Sequence, residues 1–237
     1  LEELRLSYGL LTEKSCQSLA SALRSSFSTL KALDLSGNAI YDEAVKMLSN
    51  GLGSPHCKIQ ILRLASCEIT DVGVDFLASA LVSNPAPLRE LDLRQNHIKD
   101  FGVSRLAEVV KNSNCRLETL CLSQCGLTVD CCDSLAAALE EKSSSLRELN
   151  LGINNLLDLG IKILCAGLEN PHCQLDTLGL SNCGVTGEGC TILASALRSK
   201  HSLLRELDLS ENNLTDSAVR PLYVLLDDPD CKLEKLM

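Results

Sequence analysis

The chain has 237 residues, a formal net charge of −9 and a pI near 5.0, a balance that argues against nucleic acid and disfavours an anionic membrane surface, both of which need a basic partner. Hydrophobic residues make up 45% but aromatics only 3%, with no Trp, so the core must be built from Leu, Ile, Val, Ala and Cys. No stretch reaches the roughly 18 apolar residues that a bilayer-spanning helix needs, and nothing calls for a cofactor.

From its first residue the chain repeats. Leu4, Leu33, Leu62, Leu91, Leu120, Leu149, Leu178, Leu207 and Leu236 follow one another at intervals of 29 residues with no insertion. Repeats start at residues 1, 30, 59, 88, 117, 146, 175 and 204, and a ninth opens at 233, so the whole of 1–237 reads as one continuous domain. Two kinds of repeat alternate. The first, third, fifth and seventh carry Gly9, Cys67, Cys125 and Cys183 at their ninth position, followed by Thr12, Thr70, Thr128 and Thr186. The second, fourth, sixth and eighth carry Asn38, Asn96, Asn154 and Asn212, so the true period is 58. A buried Asn here can hydrogen-bond the unpaired backbone of its own turn and of its neighbour's; Cys satisfies less.

Each repeat is read as a short strand, a turn and a helix. Apolar residues recur at helical spacing after each turn, as in Cys16, Leu19, Ala20 and Leu23. The four threonines, and Asp42, Asp100, Asp158 and Asp216 in the alternate set, are the predicted N-caps. Pro and Gly predict helix ends near Gly51–Pro55, Ser83-Asn84-Pro85, Asn170-Pro171 and Asp227-Asp228-Pro229. Helices are wider than the strand spacing of about 4.8 Å, so the stack must curve. The expected fold is of the α/β class: a right-handed βα solenoid with a concave parallel sheet inside and helices outside.

The thirteen cysteines follow the repeat columns and stand where Val or Ala stands elsewhere. That pattern, with the odd count, predicts reduced, mostly buried thiols and a cytoplasmic location.

The segment Leu204–Leu214 reads L-x-x-L-x-L-x-x-N-x-L and identifies the repeat as leucine-rich. The alternation of L-x-x-C-x-L-T with LRELDLS-x-N-x-L, and Pro55-His56-Cys57 and Pro171-His172-Cys173 before a strand, resembles the ribonuclease-inhibitor subtype. That subtype is found in ribonuclease inhibitor and in the C-terminal region of NOD-like receptors. The runs Asn84–Leu93 and Ser143–Leu151 look more like the receptor repeats, notably those of fish. The resemblance implies a protein-interaction and ligand-sensing region that folds against a nucleotide-binding (NACHT) module or meets a microbial or danger ligand. A stoichiometric inhibitor similar to ribonuclease inhibitor, or a passive scaffold, is the alternative. Gly9 departs from the Cys of the pattern.

With the leucines committed to the core, specificity falls to strand positions three, five, seven and eight. Candidate contacts are Tyr8, Arg63, Asp92, Cys121, Gln124, Asn150, Ile153, Gly179, Asn182 and Asp208. Tyr8 and Ile153 are the apolar anchors of the set. The alternation Arg5, Asp34, Arg63, Asp92 predicts an ion-pair ladder along position five, while small residues around Gly152 and Gly179 suggest room for a partner. Cys121 is expected to be an exposed, oxidisable thiol. The Glu90/Asp92 and Glu206/Asp208 pairs have a hydrolase-like spacing, but recur with the repeat and lack a pocket to raise one pKa. No metal site is expected, since His56 and His172 stand four repeats apart. The uncapped ends Leu1-Glu2-Glu3-Leu4 and Leu233–Met237 predict self-association.

Overall fold

A computed structural model describes residues 1–83 and 87–237. Nine short strands, β1 (Glu3–Arg5), β2 (Ala32–Asp34), β3 (Ile61–Arg63), β4 (Glu90–Asp92), β5 (Thr119–Cys121), β6 (Glu148–Asn150), β7 (Thr177–Gly179), β8 (Glu206–Asp208) and β9 (Lys235–Leu236), form one parallel sheet in sequence order. Each residue pairs with the one 29 positions on, as Leu62 does with Leu91, so the repeat length is the sheet register.

Among the described residues eight α-helices lie on the other side: α1 (Glu13–Leu23), α2 (Tyr41–Leu52), α3 (Asp71–Ser83), α4 (Lys99–Lys111), α5 (Cys132–Glu140), α6 (Leu157–Glu169), α7 (Gly187–Leu197) and α8 (Asp216–Leu226). The core lies between the layers. Leu33, Leu62, Leu91, Leu149 and Leu207 point inward from the sheet, with Leu35, Leu64 and Leu93 beside them, all fully or almost fully buried. The result is a leucine-rich-repeat solenoid.

The Asn column holds the layers in step. Asn96 is 2% exposed; its Nδ2 donates to the carbonyls of Leu64 and Leu93 at 2.8 Å, and its Oδ1 accepts from the N–H groups of Cys67 and Ile69 at 3.0 Å. Asn38, Asn154 and Asn212 donate in the same way across the preceding layer. In the alternate repeats a thiol reaches the corresponding carbonyl, as Cys67 Sγ does to Leu35 at 3.4 Å and Cys125 Sγ to Leu93 at 3.2 Å. No thiol is paired in a disulfide among the described residues.

Three of the four threonine caps form as expected: Thr70, Thr128 and Thr186 accept from the N–H groups of Val72, Asp130 and Glu188. The aspartate caps do not. α2, α4 and α6 start at Tyr41, Lys99 and Leu157, one residue before Asp42, Asp100 and Asp158, and α8 is capped by Thr215 rather than Asp216. The three aspartates instead serve the next repeat. Asp42 accepts from the Thr70 N–H (2.8 Å), the Thr70 hydroxyl (2.6 Å) and the Gly73 N–H (3.0 Å), and Asp100 and Asp158 grip Thr128 and Thr186 alike.

This cross-layer cap explains Gly73 and Gly189, where a Cβ would meet the Asp42 or Asp158 carboxylate. The fifth repeat has Cys131 at that position, and there the first turn is a 3-10 helix (Val129–Cys131), which leaves α5 only nine residues long. The helix ends agree with the Pro and Gly signals at Leu52 and Glu169; Asn84-Pro85 lies outside the described residues. No described helix is long and apolar enough to cross a membrane.

Candidate concave-face binding site

Where strand gives way to turn, the short polar side chains of position five fold back onto the backbone. Asp34, Asn150 and Asp208 accept through Oδ1 from the N–H two residues on, at 2.9–3.0 Å. Asp92 does the same to Arg94 at 3.1 Å and is 3% exposed. Asp92, Asn150 and Asp208, picked from the sequence as contacts, therefore hold the turn.

Burial raises the Asp92 pKa above the ordinary carboxylate range, against the opposing pull of the Arg94 N–H and guanidinium. The expectation that no carboxylate here meets a desolvating environment was thus wrong for Asp92. Both its oxygens are nevertheless engaged, Oδ2 with Arg94 at 2.9 Å, and Glu90 is bound by Arg63 at 2.8 Å.

The predicted ion-pair ladder also lies elsewhere. Position five pairs diagonally or locally, Arg63 with Glu90 and Arg5 with Glu3. Most directly opposed pairs run along position two, where Glu2 meets Lys31, Arg89 meets Glu118 and Arg205 meets Glu234; Glu206 and Lys235 pair at position three. At position two the charge follows the 58-residue alternation, acidic or Gln in one kind of repeat and basic in the other. These pairs are exposed and each contributes at most about 1 kcal/mol.

Position eight has a property that side-chain patterning conceals. Tyr8, Gly37, Ser66, Gln95, Gln124, Ile153, Asn182 and Glu211 all have φ between 47° and 72°, the left-handed region. In the first seven of these the N–H donates to the carbonyl of the next repeat's seventh residue, as Tyr8 does to Ser36 and Ile153 to Ser181; Glu211 keeps the conformation without that bond, so it is the turn that the repeat builds, and not one hydrogen bond, that sets it. Left-handed backbone costs an ordinary side chain about 1–2 kcal/mol, and a β-branched one is least suited to it. Ile153 is the one β-branched residue of the column and is 50% exposed. Tyr8 is 83% exposed, and its ring lies over Gly37, where a Cβ would come within 2.5 Å of it.

Four of the candidates meet in one place. Tyr8, Arg63, Gln124 and Ile153 line a shallow groove of about 490 Å³ on the sheet face, together with Arg94 and Gln95, which sequence reasoning missed. Hydrogen bonds from the Ser66 hydroxyl to Gln95 and from Gln95 to Gln124 form a polar rail along it. Arg94 is half exposed on one side of its Asp92 pair, so it offers donors to a ligand while its charge is largely balanced.

Asn150, Gly179 and Asp208 line a second, smaller hollow of about 210 Å³. The room expected around Gly152 and Gly179 is limited to this hollow, since their neighbours crowd the glycines themselves: a Cβ at Gly179 would lie 2.9 Å from Asn150 Oδ1, and one at Gly152 2.5 Å from Ser181 Oγ. Asn182 is exposed and lines neither hollow. Cys121 is half-buried, and burial aided by Asp92 and Glu148 pushes its thiol up to about 12, the reverse of a reactive thiolate. A further hollow of about 800 Å³ lies against Leu209, Leu214 and Val219 of the eighth repeat and Leu236 of β9, with Glu211, Glu234 and Lys235 at its rim.

Comparison with known proteins agrees with this architecture. A leucine-rich-repeat family model matches residues 28–49, 56–78, 85–107 and 200–222. Among solved structures, a chain of the octameric complex of Latrophilin 3, Unc5D and the leucine-rich-repeat protein FLRT2 superposes with a TM-score of 0.51 at 16% identity, over 100% of this chain and 67% of that one. The TLR13 chain solved with a single-stranded RNA superposes with a TM-score of 0.51 at 21% identity, over 100% of this chain and 28% of that one. At such identities the likeness is one of fold. No curated protein sequence matches the chain.

Proposed function

We propose that this chain is the ligand-sensing and autoregulatory repeat region of a cytosolic NOD-like receptor, and that its sheet-face groove between Tyr8 and Ile153 binds a protein segment. The resting occupant is the receptor's own nucleotide-binding module; a microbial or danger ligand competes with it. The observation that carries the reading is the pair of exposed apolar anchors held on left-handed backbone above balanced arginines. Apolar anchors beside Arg donors suit a protein surface. A polyanion such as the RNA bound by TLR13 would find little free positive charge here, since Arg63 and Arg94 are already paired with carboxylates. Release then works as a population shift, because the ligand binds the open state better than the closed one.

Two experiments test this. The gene upstream of Leu1 is read for a P-loop, G-x-x-x-x-G-K-[ST], which a receptor needs and an inhibitor lacks. The chain is also titrated against a pancreatic-type ribonuclease. No inhibition is expected; stoichiometric inhibition would replace the receptor with an inhibitor similar to ribonuclease inhibitor.

A further inference from the structure

The chain's charge is not spread evenly. Positions ten to fourteen of the eight full repeats, the edge where turn enters helix, carry ten carboxylates and only two lysines, a balance of −8 out of −9; the rest of the chain is nearly neutral. Helix dipoles and the cross-layer caps account for acidic residues at helix starts. They do not account for what stands among them. In repeats two to seven the exposed large hydrophobic residues are Tyr41, Val72, Val82, Phe101, Ile153, Leu157 and Leu159, and five of these seven lie on this same edge. Val72, Phe101 and Leu159 share position fourteen, in repeats three, four and six, each more than half exposed. Tyr41 and Leu157 share position twelve, raised by left-handed φ of 58° and 57°.

We infer that this edge is a second docking surface, distinct from the concave groove, and that its partner is a basic amphipathic helix of another protein. Charge complementarity selects a cationic occupant: the edge repels nucleic acid and anionic lipid alike. Geometry selects a helix. Neighbouring helices of the solenoid lie about 8–10 Å apart, and two turns of a helix laid across them advance about 10.5 Å. Residues seven apart on the partner thus meet successive layers. Apolar side chains at i and i+7 meet Val72 and Phe101, a basic one at i+14 meets the exposed Asp130, and an apolar one at i+21 meets Leu159.

The test uses the whole chain and a fluorescent synthetic helix of four heptads, with Leu at i, i+7 and i+21, Lys at i+14 and a basic outer face. Anisotropy is read for the wild type, a Val72→Ser/Phe101→Ser double variant, Asp130→Lys and Ile153→Asp. Saturable binding is expected to weaken about tenfold or more in the double variant and to fall with salt. Asp130→Lys should weaken it too, with recovery when the peptide's central Lys becomes Glu. Ile153→Asp should leave it unchanged, which separates this surface from the concave groove. The variants replace exposed side chains, and circular dichroism checks their folding. Absence of saturable binding, equal binding of a scrambled peptide of the same composition, indifference to the double variant, or stronger binding of the chain to anionic vesicles than to the peptide would each overturn the proposal.

Discussion

Replacing Asn96 with Ala tests the account of how layers are held in step. The carboxamide is buried at 2% exposure and satisfies the N–H groups of Cys67 and Ile69 and the carbonyls of Leu64 and Leu93. Leu93 retains the Cys125 thiol, so its loss is small. The two N–H groups have no substitute, and each orphaned buried donor costs about 1–3 kcal/mol, which gives about 2–6 kcal/mol before any relaxation. Cys67→Ala removes one weak S–H donor to Leu35 and should cost much less, about 1 kcal/mol including the lost packing volume. With no Trp in the chain, urea unfolding is followed by far-ultraviolet circular dichroism, and midpoints are compared because solenoids need not unfold in one step. An Asn96→Ala midpoint at or above that of Cys67→Ala would refute the reasoning.

Asp100→Ala removes the cap that its repeat supplies to Thr128 in the next, and should cost about 1–2 kcal/mol; hydrogen exchange should show the loss at the Thr128 amide, not at the start of α4. Asp92 carries a raised pKa, so the folded state holds its proton more tightly than the unfolded state and stability falls as pH rises from the unfolded carboxylate value through the folded one. Asp92→Asn keeps the turn bond, as Asn150 does at the same position, and should match the wild type below that window and exceed it above; a variant that is less stable at neutral pH contradicts this. Cys121 has a thiol pushed up to about 12, so its alkylation should accelerate with every unit of pH up to 10 and beyond rather than level off near 8, as mass spectrometry of the labelled peptide would show.

The features that sequence reasoning caught are those written once per repeat. A 29-residue step with no insertion is itself the sheet register, and the alternation of Asn with Cys predicts a carboxamide column that the hydrogen bonds bear out. Threonine caps were legible because each serves its own helix. The aspartates at 42, 100 and 158 misled because their partners lie 28 residues on, and nothing local distinguishes a residue that caps its own helix from one that caps its neighbour's. Strand alternation placed Asp92 outward, yet a short polar side chain beside a turn folds onto the backbone instead.

The pairs at position two follow an alternation of charge that stands in the sequence, but strand geometry alone does not say which of two alternating columns pairs across the sheet. Of the candidate site, Tyr8, Arg63, Gln124 and Ile153 do converge. What joins Tyr8, Gln124 and Ile153, the left-handed column, has no residue signature: Tyr, Gly, Ser, Gln, Ile, Asn and Glu all occupy it, because the turn built by the repeat rather than the side chain dictates φ.

The most direct test of the proposed groove is Ile153→Gly, measured twice in one protein. Removing a β-branched side chain from left-handed backbone should raise thermal stability by about 1 kcal/mol. Calorimetric titration with the nucleotide-binding module of the proposed receptor should show affinity falling about tenfold, as loss of a central anchor does. A stabilised chain that binds less well is the predicted result; a chain that binds the module as tightly as the wild type would contradict the claim that this groove is where the partner sits.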